Sequence, residues 1–89
     1  MSNERKLEII RETAAATGGS VYPDYSGRGM FGAKCAGIAC DDSHGTIEEA
    51  ASRGLRGAKV DQLGRGYIVY WPGVQADAML AQREKEGGT

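Results

Sequence analysis

The spacing of apolar residues along the chain predicts three helices. The first covers residues 4–17, where apolar side chains recur every three or four positions and charged side chains lie between them. The second begins at Ile47, because Thr46 and Glu49 form the Thr-x-x-Glu pattern of a capping box. A third amphipathic helix is expected at residues 74–86.

Short apolar or alternating runs bounded by glycine and proline predict four strands. The predicted strands cover residues 20–22, 33–40, 58–62 and 67–72. Pro23 is expected to close the first strand, because proline cannot donate a hydrogen bond to a neighbouring strand. Glycines in the turn at residues 63–66 predict a β-hairpin between the third and fourth strands. The alternating fourth strand is expected to be central and to lie beside the second.

The order helix, strand, strand, helix, strand, strand, helix predicts a small α+β domain. We expect an antiparallel or mixed four-stranded sheet with helices packed on one face. The run at 33–40 is short and almost uncharged, so it should be a central strand that is buried on both faces. Gly37 within it indicates a bulge or the close approach of another backbone. Residues 1–89 are interpreted as one domain whose ends, 1–3 and 86–89, fray.

Composition and charge argue against several classes of partner. The 89 residues are 26% charged and 40% hydrophobic, which is typical of a globular protein. The formal net charge of -1 produces no overall field that would attract nucleic acid or a membrane. No apolar run is long enough to span a bilayer, and the first residues lead into an amphipathic helix rather than a signal peptide. A cytoplasmic location is therefore expected.

The two cysteines, Cys35 and Cys40, are five positions apart on one predicted strand. Side chains at this spacing on a strand point to opposite faces and lie about 17 Å apart, which is too far for a disulfide. We expect both cysteines to be reduced and to act as small apolar side chains.

The most unusual segment follows the first predicted strand, at residues 22–32. It combines three glycines with two tyrosines, an arginine and an adjacent methionine and phenylalanine. Glycine leaves the backbone free to adopt positive φ, and aromatic residues, methionine and arginine are enriched at interfaces, so we interpret the segment as a contact surface. The predicted contact residues are Tyr25, Arg28, Met30, Phe31 and, as a secondary contact in a second Gly-Arg-Gly tripeptide, Arg65. The alternative is that Met30 and Phe31 close the end of the core.

Residues 27–32 match the Gly-x-Gly-x-x-Gly pattern of dinucleotide-binding loops, but their context differs. That pattern binds a pyrophosphate only where the third glycine opens a helix within a βαβ unit, and here a strand is predicted to follow. The carboxylates of Asp41 and Asp42 beside His44 are explained by the helix that begins after them. No arrangement of nucleophile, base or metal ligands is evident, so we predict a protein without catalytic residues, metal or cofactor.

Nucleic-acid binding is the competing hypothesis. Basic residues gather in the middle of the chain, so one edge of the domain could be locally positive despite the neutral sum. These residues are Arg28, Lys34, Arg53, Arg56, Lys59 and Arg65. The interleaving of Tyr25, Arg28 and Phe31 would suit the stacking of single-stranded bases. This alternative predicts a small nucleic-acid-binding regulator.

The segment from Tyr22 to Gly32, followed by Cys35-Ala-Gly-Ile38 and later by residues 64–72, resembles a group of small proteins of phages and mobile elements. That group shares an Asp-Tyr-Ser-Gly-Arg-Gly-Met-aromatic-Gly signature, and some similar chains are associated with inhibition of type I CRISPR surveillance complexes, as anti-CRISPR proteins. The resemblance covers the middle of the chain and the final hairpin, not the terminal helices. It implies an inhibitor that binds a protein subunit of the complex and keeps target DNA from engaging. The net charge of -1 departs from inhibitors that imitate DNA, so blocking by shape is expected.

Overall fold

The computed structural model describes residues 2–27 and 29–75. Within those residues the chain forms two helices and four strands. In chain order they are α1 (Asn3–Thr17), β1 (Ser20–Tyr25), β2 (Cys35–Cys40), α2 (Ser43–Ser52), β3 (Lys59–Leu63) and β4 (Gly66–Trp71). The third predicted helix, at residues 74–86, lies outside the described residues except for its first two positions.

The described strands form one antiparallel sheet in the order β1-β2-β4-β3. The central strands are β2 and β4, as predicted, and β1 and β3 are the edges. Because β2 and β3 are both antiparallel to β4, they run parallel to each other, and β2, α2 and β3 form a split β-α-β unit. The two described helices pack together on one face of the sheet. The predicted α+β architecture is confirmed.

The ends of α1 are set by their cap residues. The Ser2 hydroxyl accepts a hydrogen bond from the Arg5 N–H at 3.2 Å, and Gly18 closes the helix in the left-handed conformation. The Asn3 side chain accepts a hydrogen bond from the Gln75 N–H at 3.0 Å and donates to the Gln75 carbonyl at 2.9 Å. These two bonds join the start of α1 to the segment that follows β4.

Helix α2 begins one turn earlier than the sequence predicts. The capping-box prediction at Thr46 is wrong, because Asp42 is the N-cap and accepts a hydrogen bond from the Gly45 N–H at 3.0 Å. Thr46 lies inside the helix, fully buried, and its hydroxyl donates to the Asp42 carbonyl at 2.9 Å. Aspartate is the better N-cap of the two residues, so the earlier position prevails.

The prediction that Pro23 closes β1 is also wrong, because the strand continues to Tyr25. Its pairing with β2 shifts in register between Tyr22 and Tyr25. Pro23 is tolerated because β1 is an edge strand, where one side of the backbone has no neighbour and needs no N–H donor. The other three strands begin and end within two residues of their predicted bounds.

The sheet separates two apolar clusters. The main core lies between the sheet and the helices and includes Trp71, which is almost completely buried. A smaller cluster lies on the opposite face, which we call the open face because neither described helix packs on it. The open-face cluster consists of Cys35, Ile68 and Tyr70, with Tyr25, Met30 and Leu63 packed against it. Cys40 packs against the main core, so the two cysteines lie on opposite faces, as predicted.

Gly37 lies at the centre of the sheet. It pairs with Tyr22 of β1 and Tyr70 of β4. A β-carbon here would lie 2.9 Å from the Val69 carbonyl oxygen and 3.2 Å from the Ile68 side chain. The predicted close approach of another backbone is therefore confirmed, and the glycine is what allows β2 and β4 to pair at this point.

Candidate functional site

The segment between β1 and β2, residues 26–34, contains most of the predicted contact residues, and we call it the glycine loop. Two backbone hydrogen bonds between its described residues shape it. The Met30 N–H donates to the Gly27 carbonyl at 3.2 Å, and the Ala33 N–H donates to the Met30 carbonyl at 2.9 Å. Arg28, one of the predicted contacts, lies outside the described residues.

Phe31 is a fully exposed aromatic residue on an unusual backbone. Its relative exposure is 100% and its φ is 52°. Gly32, which follows Phe31, and Gly29, two positions before it, also have positive φ. Glycine adopts this conformation without strain, whereas a residue with a β-carbon loses about 1 kcal/mol there. Phe31 is the only non-glycine residue with positive φ in residues 2–27 and 29–75. Strain of this kind at an exposed position is typical of functional sites.

Met30 points the other way and anchors the glycine loop to the sheet. Its side chain is half-buried and packs against the open-face cluster. Its sulfur accepts a hydrogen bond from the Gly27 N–H at 3.1 Å. The alternative in which both residues close the core therefore describes Met30 but not Phe31.

Tyr25 lies on the open face and connects β1 with the opposite edge of the sheet. Its hydroxyl donates to Asp61 Oδ2 of β3 at 3.0 Å. Its ring lies 4.9 Å from the Tyr70 ring and 5.9 Å from the Tyr22 ring, the latter edge to face. Burial and, next, the hydrogen bond to Asp61 raise the pKa of Tyr25 to about 12. Tyr25 thus supports the base of the glycine loop, and its contact with a partner stays a prediction.

Arg65 does not lie beside the glycine loop. It is exposed in the turn between β3 and β4, and the strand register places that turn at the Cys40 end of β2. The glycine loop enters β2 at Cys35, roughly 17 Å away at the usual strand rise. A single partner would have to extend along the whole strand to touch both Phe31 and Arg65.

A cleft of about 350 Å³ lies at the same end of the sheet as Arg65. Its lining includes Thr17 at the end of α1, Cys40 and Asp41 after β2, and Tyr67 of β4. Nothing in the sequence predicts this cleft, because its walls come from segments that are far apart along the chain. It contains none of the predicted contact residues.

Two acidic residues near His44, Asp42 and Glu48, make contacts that belong to α2. Asp42 caps α2, and His44 Nε2 lies 2.9 Å from Glu48 Oε1 on the exposed side of that helix. In the described part of the chain, no group of three or more histidine, cysteine, aspartate or glutamate side chains is placed to hold a metal ion.

The described basic residues of the nucleic-acid hypothesis do not all lie on one side of the sheet. Arg53 lies in the helix layer, where it pairs with Glu12 at 3.5 Å and Glu49 at 3.3 Å. Lys59 pairs with Tyr70 across β3 and β4, which places it on the open face. Arg53 and Lys59 are therefore on opposite sides of the sheet.

A comparison of the chain with protein-family models, curated proteins and solved structures found no match. Function must therefore be argued from the residues themselves. Across residues 2–27 and 29–75, no helix has the length and apolar character that crossing a membrane requires.

Proposed function

We propose that this protein is a non-enzymatic, protein-binding inhibitor that docks through the glycine loop, with Phe31 as its anchor. The observation that carries the proposal is the fully exposed Phe31 ring on a backbone with positive φ. Folding alone favours the opposite arrangement, because burial of a phenylalanine side chain contributes about 2 kcal/mol. A partner that takes up the ring would recover this free energy at its interface.

The contacts that hold the base of the glycine loop also favour a docking role. Met30 and Tyr25 fix the base of the glycine loop through packing, a sulfur hydrogen bond and the contact with Asp61. A loop held in this way loses less conformational entropy when it binds, and that lowers the cost of association. The partly exposed ring of Tyr22 on β1 packs edge to face against Tyr25, with the ring centres 5.9 Å apart.

The resemblance to anti-CRISPR proteins supplies the proposed partner, a protein subunit of a type I CRISPR surveillance complex. The signature that carries the resemblance runs from Asp24 to Gly32, so it includes the exposed ring. Binding would keep target DNA from engaging the complex in the cytoplasm of the host bacterium. With a net charge of -1, obstruction by shape fits better than imitation of the phosphate backbone.

Binding of the purified protein to candidate type I complexes tests this function. For Phe31→Ala we expect a loss of about 2 kcal/mol in binding, a factor of roughly 30, with the thermal midpoint almost unchanged. Tyr67→Ala is the matched control, because Tyr67 is a partly exposed aromatic residue at the far end of the sheet. Arg28→Ala is measured alongside, as the sequence-predicted contact that lies outside the described residues.

Two results would redirect the proposal. Unchanged affinity of Phe31→Ala for a complex that binds the wild-type protein contradicts the anchor role. If no complex binds, labelled single- and double-stranded DNA are titrated at low and moderate salt. Affinity that falls steeply with salt would favour a nucleic-acid-binding regulator that uses Arg28, Lys34, Lys59 and Arg65.

A further inference from the structure

The two edges of the sheet differ in how well they are protected against pairing with another strand. β1 is interrupted by Pro23 and by the register shift between Tyr22 and Tyr25, and both features hinder the addition of a strand. β3 contains neither proline nor glycine, and its pairing with β4 has no register shift. An uninterrupted edge strand is a template for strand addition.

The hairpin turn determines which backbone groups of β3 point outward. Gly64 has a φ of 61° and Arg65 does not have a positive φ, the pattern of a type II′ turn. The residues that flank such a turn, Leu63 and Gly66, form a hydrogen-bonded pair, and bonded and non-bonded pairs then alternate along the ladder. The N–H and C=O groups of residues 60 and 62 therefore point away from β4.

The hydrogen bond of Gln62 supports this assignment. Its N–H donates to Asp61 Oδ1 at 2.8 Å rather than to a residue of β4. The N–H and C=O groups of Val60 and the C=O group of Gln62 therefore point outward along the middle of β3.

We propose that a second copy of this chain pairs antiparallel with β3, with Val60 opposite Val60 of the second copy. In this register the two Val60 residues exchange both hydrogen bonds, and Lys59 of each copy lies opposite Asp61 of the other. Cross-strand pairs without hydrogen bonds bring their side chains closest, so the two Lys-Asp pairs meet at short range. A shift that places Asp61 opposite Asp61 would set like charges against each other, so charge complementarity favours the Val60 register over this one.

The existing contacts of Asp61 are compatible with this pairing. Its carboxylate accepts hydrogen bonds from the Tyr25 hydroxyl at 3.0 Å and from the Gln62 N–H at 2.8 Å. A carboxylate can accept from several donors at once, so these two bonds do not prevent the approach of the Lys59 ammonium.

The helix side of the same edge contributes apolar surface. Val60 is 42% exposed, and Tyr67 on the adjacent strand is 40% exposed on the same side of the sheet. In the described part of the chain, α1 packs mainly on β1 and β2 and α2 on β2 and β4, so Val60 lies beyond the helix layer. Pairing would bring the two Val60 side chains together in one continuous sheet. Because only one short strand of each copy takes part, we expect a weak dimer that forms as concentration rises.

Sedimentation velocity of the full chain over a wide concentration range tests the proposal. We expect a reversible monomer–dimer equilibrium and slower hydrogen exchange of the Val60 amide at high concentration than at low concentration. Val60→Lys should raise the dimer dissociation constant by about tenfold, because it places like charges opposite each other. Val21→Lys is the matched control and should have no effect, because Val21 is 40% exposed on the same side of the sheet but lies on β1.

Charge reversal tests the register. Lys59→Asp and Asp61→Lys should each weaken the dimer, and the double variant should restore it, because opposite charges face each other again. Tyr25→Phe is measured in parallel, since Asp61→Lys, alone or in the double variant, removes the hydrogen bond between Tyr25 and Asp61.

Three results would overturn the dimer. One is a monomer at every concentration, and another is equal weakening by Val21→Lys and Val60→Lys. The third is full protection of the Val60 amide at the lowest concentration, because a segment of the same chain would then cover the edge. Phe31→Ala should leave the dimer unchanged, so this proposal and the proposed function of the glycine loop stand or fall separately.

Discussion

The two edge strands of the sheet, β1 and β3, differ in their regularity and in the groups that they expose. Val21 on β1 and Val60 on β3 are almost equally exposed, at 40% and 42%, and each pairs with a buried residue of a central strand. β1 is irregular at Pro23 and leads into the glycine loop, where a strained backbone presents Phe31. β3 is regular and ends in a two-residue turn. In the two proposals, the irregular edge offers a side chain to a partner and the regular edge offers its backbone.

The two edges are nevertheless joined across the open face. Tyr25 of β1 reaches over the central strands, its hydroxyl bonded to Asp61 of β3 and its ring against Tyr70 of β4. We therefore expect the change in the free energy of unfolding to be largest for substitutions at the centre of the sheet, smaller at this hydrogen bond and smallest at the edges.

The largest effect is expected from Gly37→Ala, because Gly37 lies where the two halves of the sheet meet. The added β-carbon would lie 2.9 Å from the Val69 carbonyl oxygen, which belongs to the backbone of a central strand. We expect a loss of about 2 kcal/mol in the free energy of unfolding, measured by denaturant titration. A loss below about 0.5 kcal/mol would show that β2 and β4 can separate without cost.

Removal of the Tyr25 hydroxyl should have the next largest effect. Tyr25→Phe leaves Asp61 without one of its donors, and we expect a loss of about 1 kcal/mol in the free energy of unfolding. Tyr22→Phe is the matched control on the same strand, and its effect should stay within about 0.5 kcal/mol. Equal losses in the two variants would mean that the bond across the open face contributes nothing to stability.

High pH should also break the hydrogen bond between Tyr25 and Asp61. The folded-state pKa of Tyr25 is about 12, above the ordinary value of 10.0, because burial and Asp61 favour the protonated phenol. The resulting stabilisation is fully present below about pH 10 and is lost as the pH rises through about 12. The wild-type protein should therefore lose more stability than Tyr25→Phe over this interval. Parallel stability curves for the two proteins would argue against a raised pKa.

The smallest effect on stability is expected at the glycine loop, and it has the opposite sign. Phe31→Gly removes the cost of a β-carbon at positive φ, so the free energy of unfolding should rise by about 0.5 kcal/mol. Phe31→Ala keeps the β-carbon and should show no gain. A loss of stability in Phe31→Gly would indicate that the ring packs against the fold.

Elements with strong local signals could be predicted from the sequence. The hairpin of β3 and β4, the central β2 and the close approach at Gly37 follow from apolar patterning and glycine placement. The errors at Thr46 and Pro23 have a physical cause. Asp42 and Thr46 are both possible N-caps of α2. Pro23 is tolerated because β1 is an edge strand, and that position is defined only by the assembled sheet.

The candidate site could be predicted only in part. The unusual composition of the glycine loop is visible in the sequence, but adjacent Met30 and Phe31 differ in exposure only because of the local backbone. The separation of Arg65 from the loop follows from the register of β2 with β4, which no local pattern encodes. The hydrogen bond between Tyr25 and Asp61 joins residues 36 positions apart. It also depends on how the strands are arranged in the sheet, which no local pattern encodes.

Docking through Phe31 is tested most directly by measuring partner binding and the free energy of unfolding of Phe31→Ala in the same preparation. We predict binding to the proposed partner, a type I complex, that is roughly 30-fold weaker, with the free energy of unfolding unchanged within about 0.5 kcal/mol. Full affinity in the variant, or a loss of stability above about 1 kcal/mol, would contradict the assignment of Phe31 as an exposed anchor.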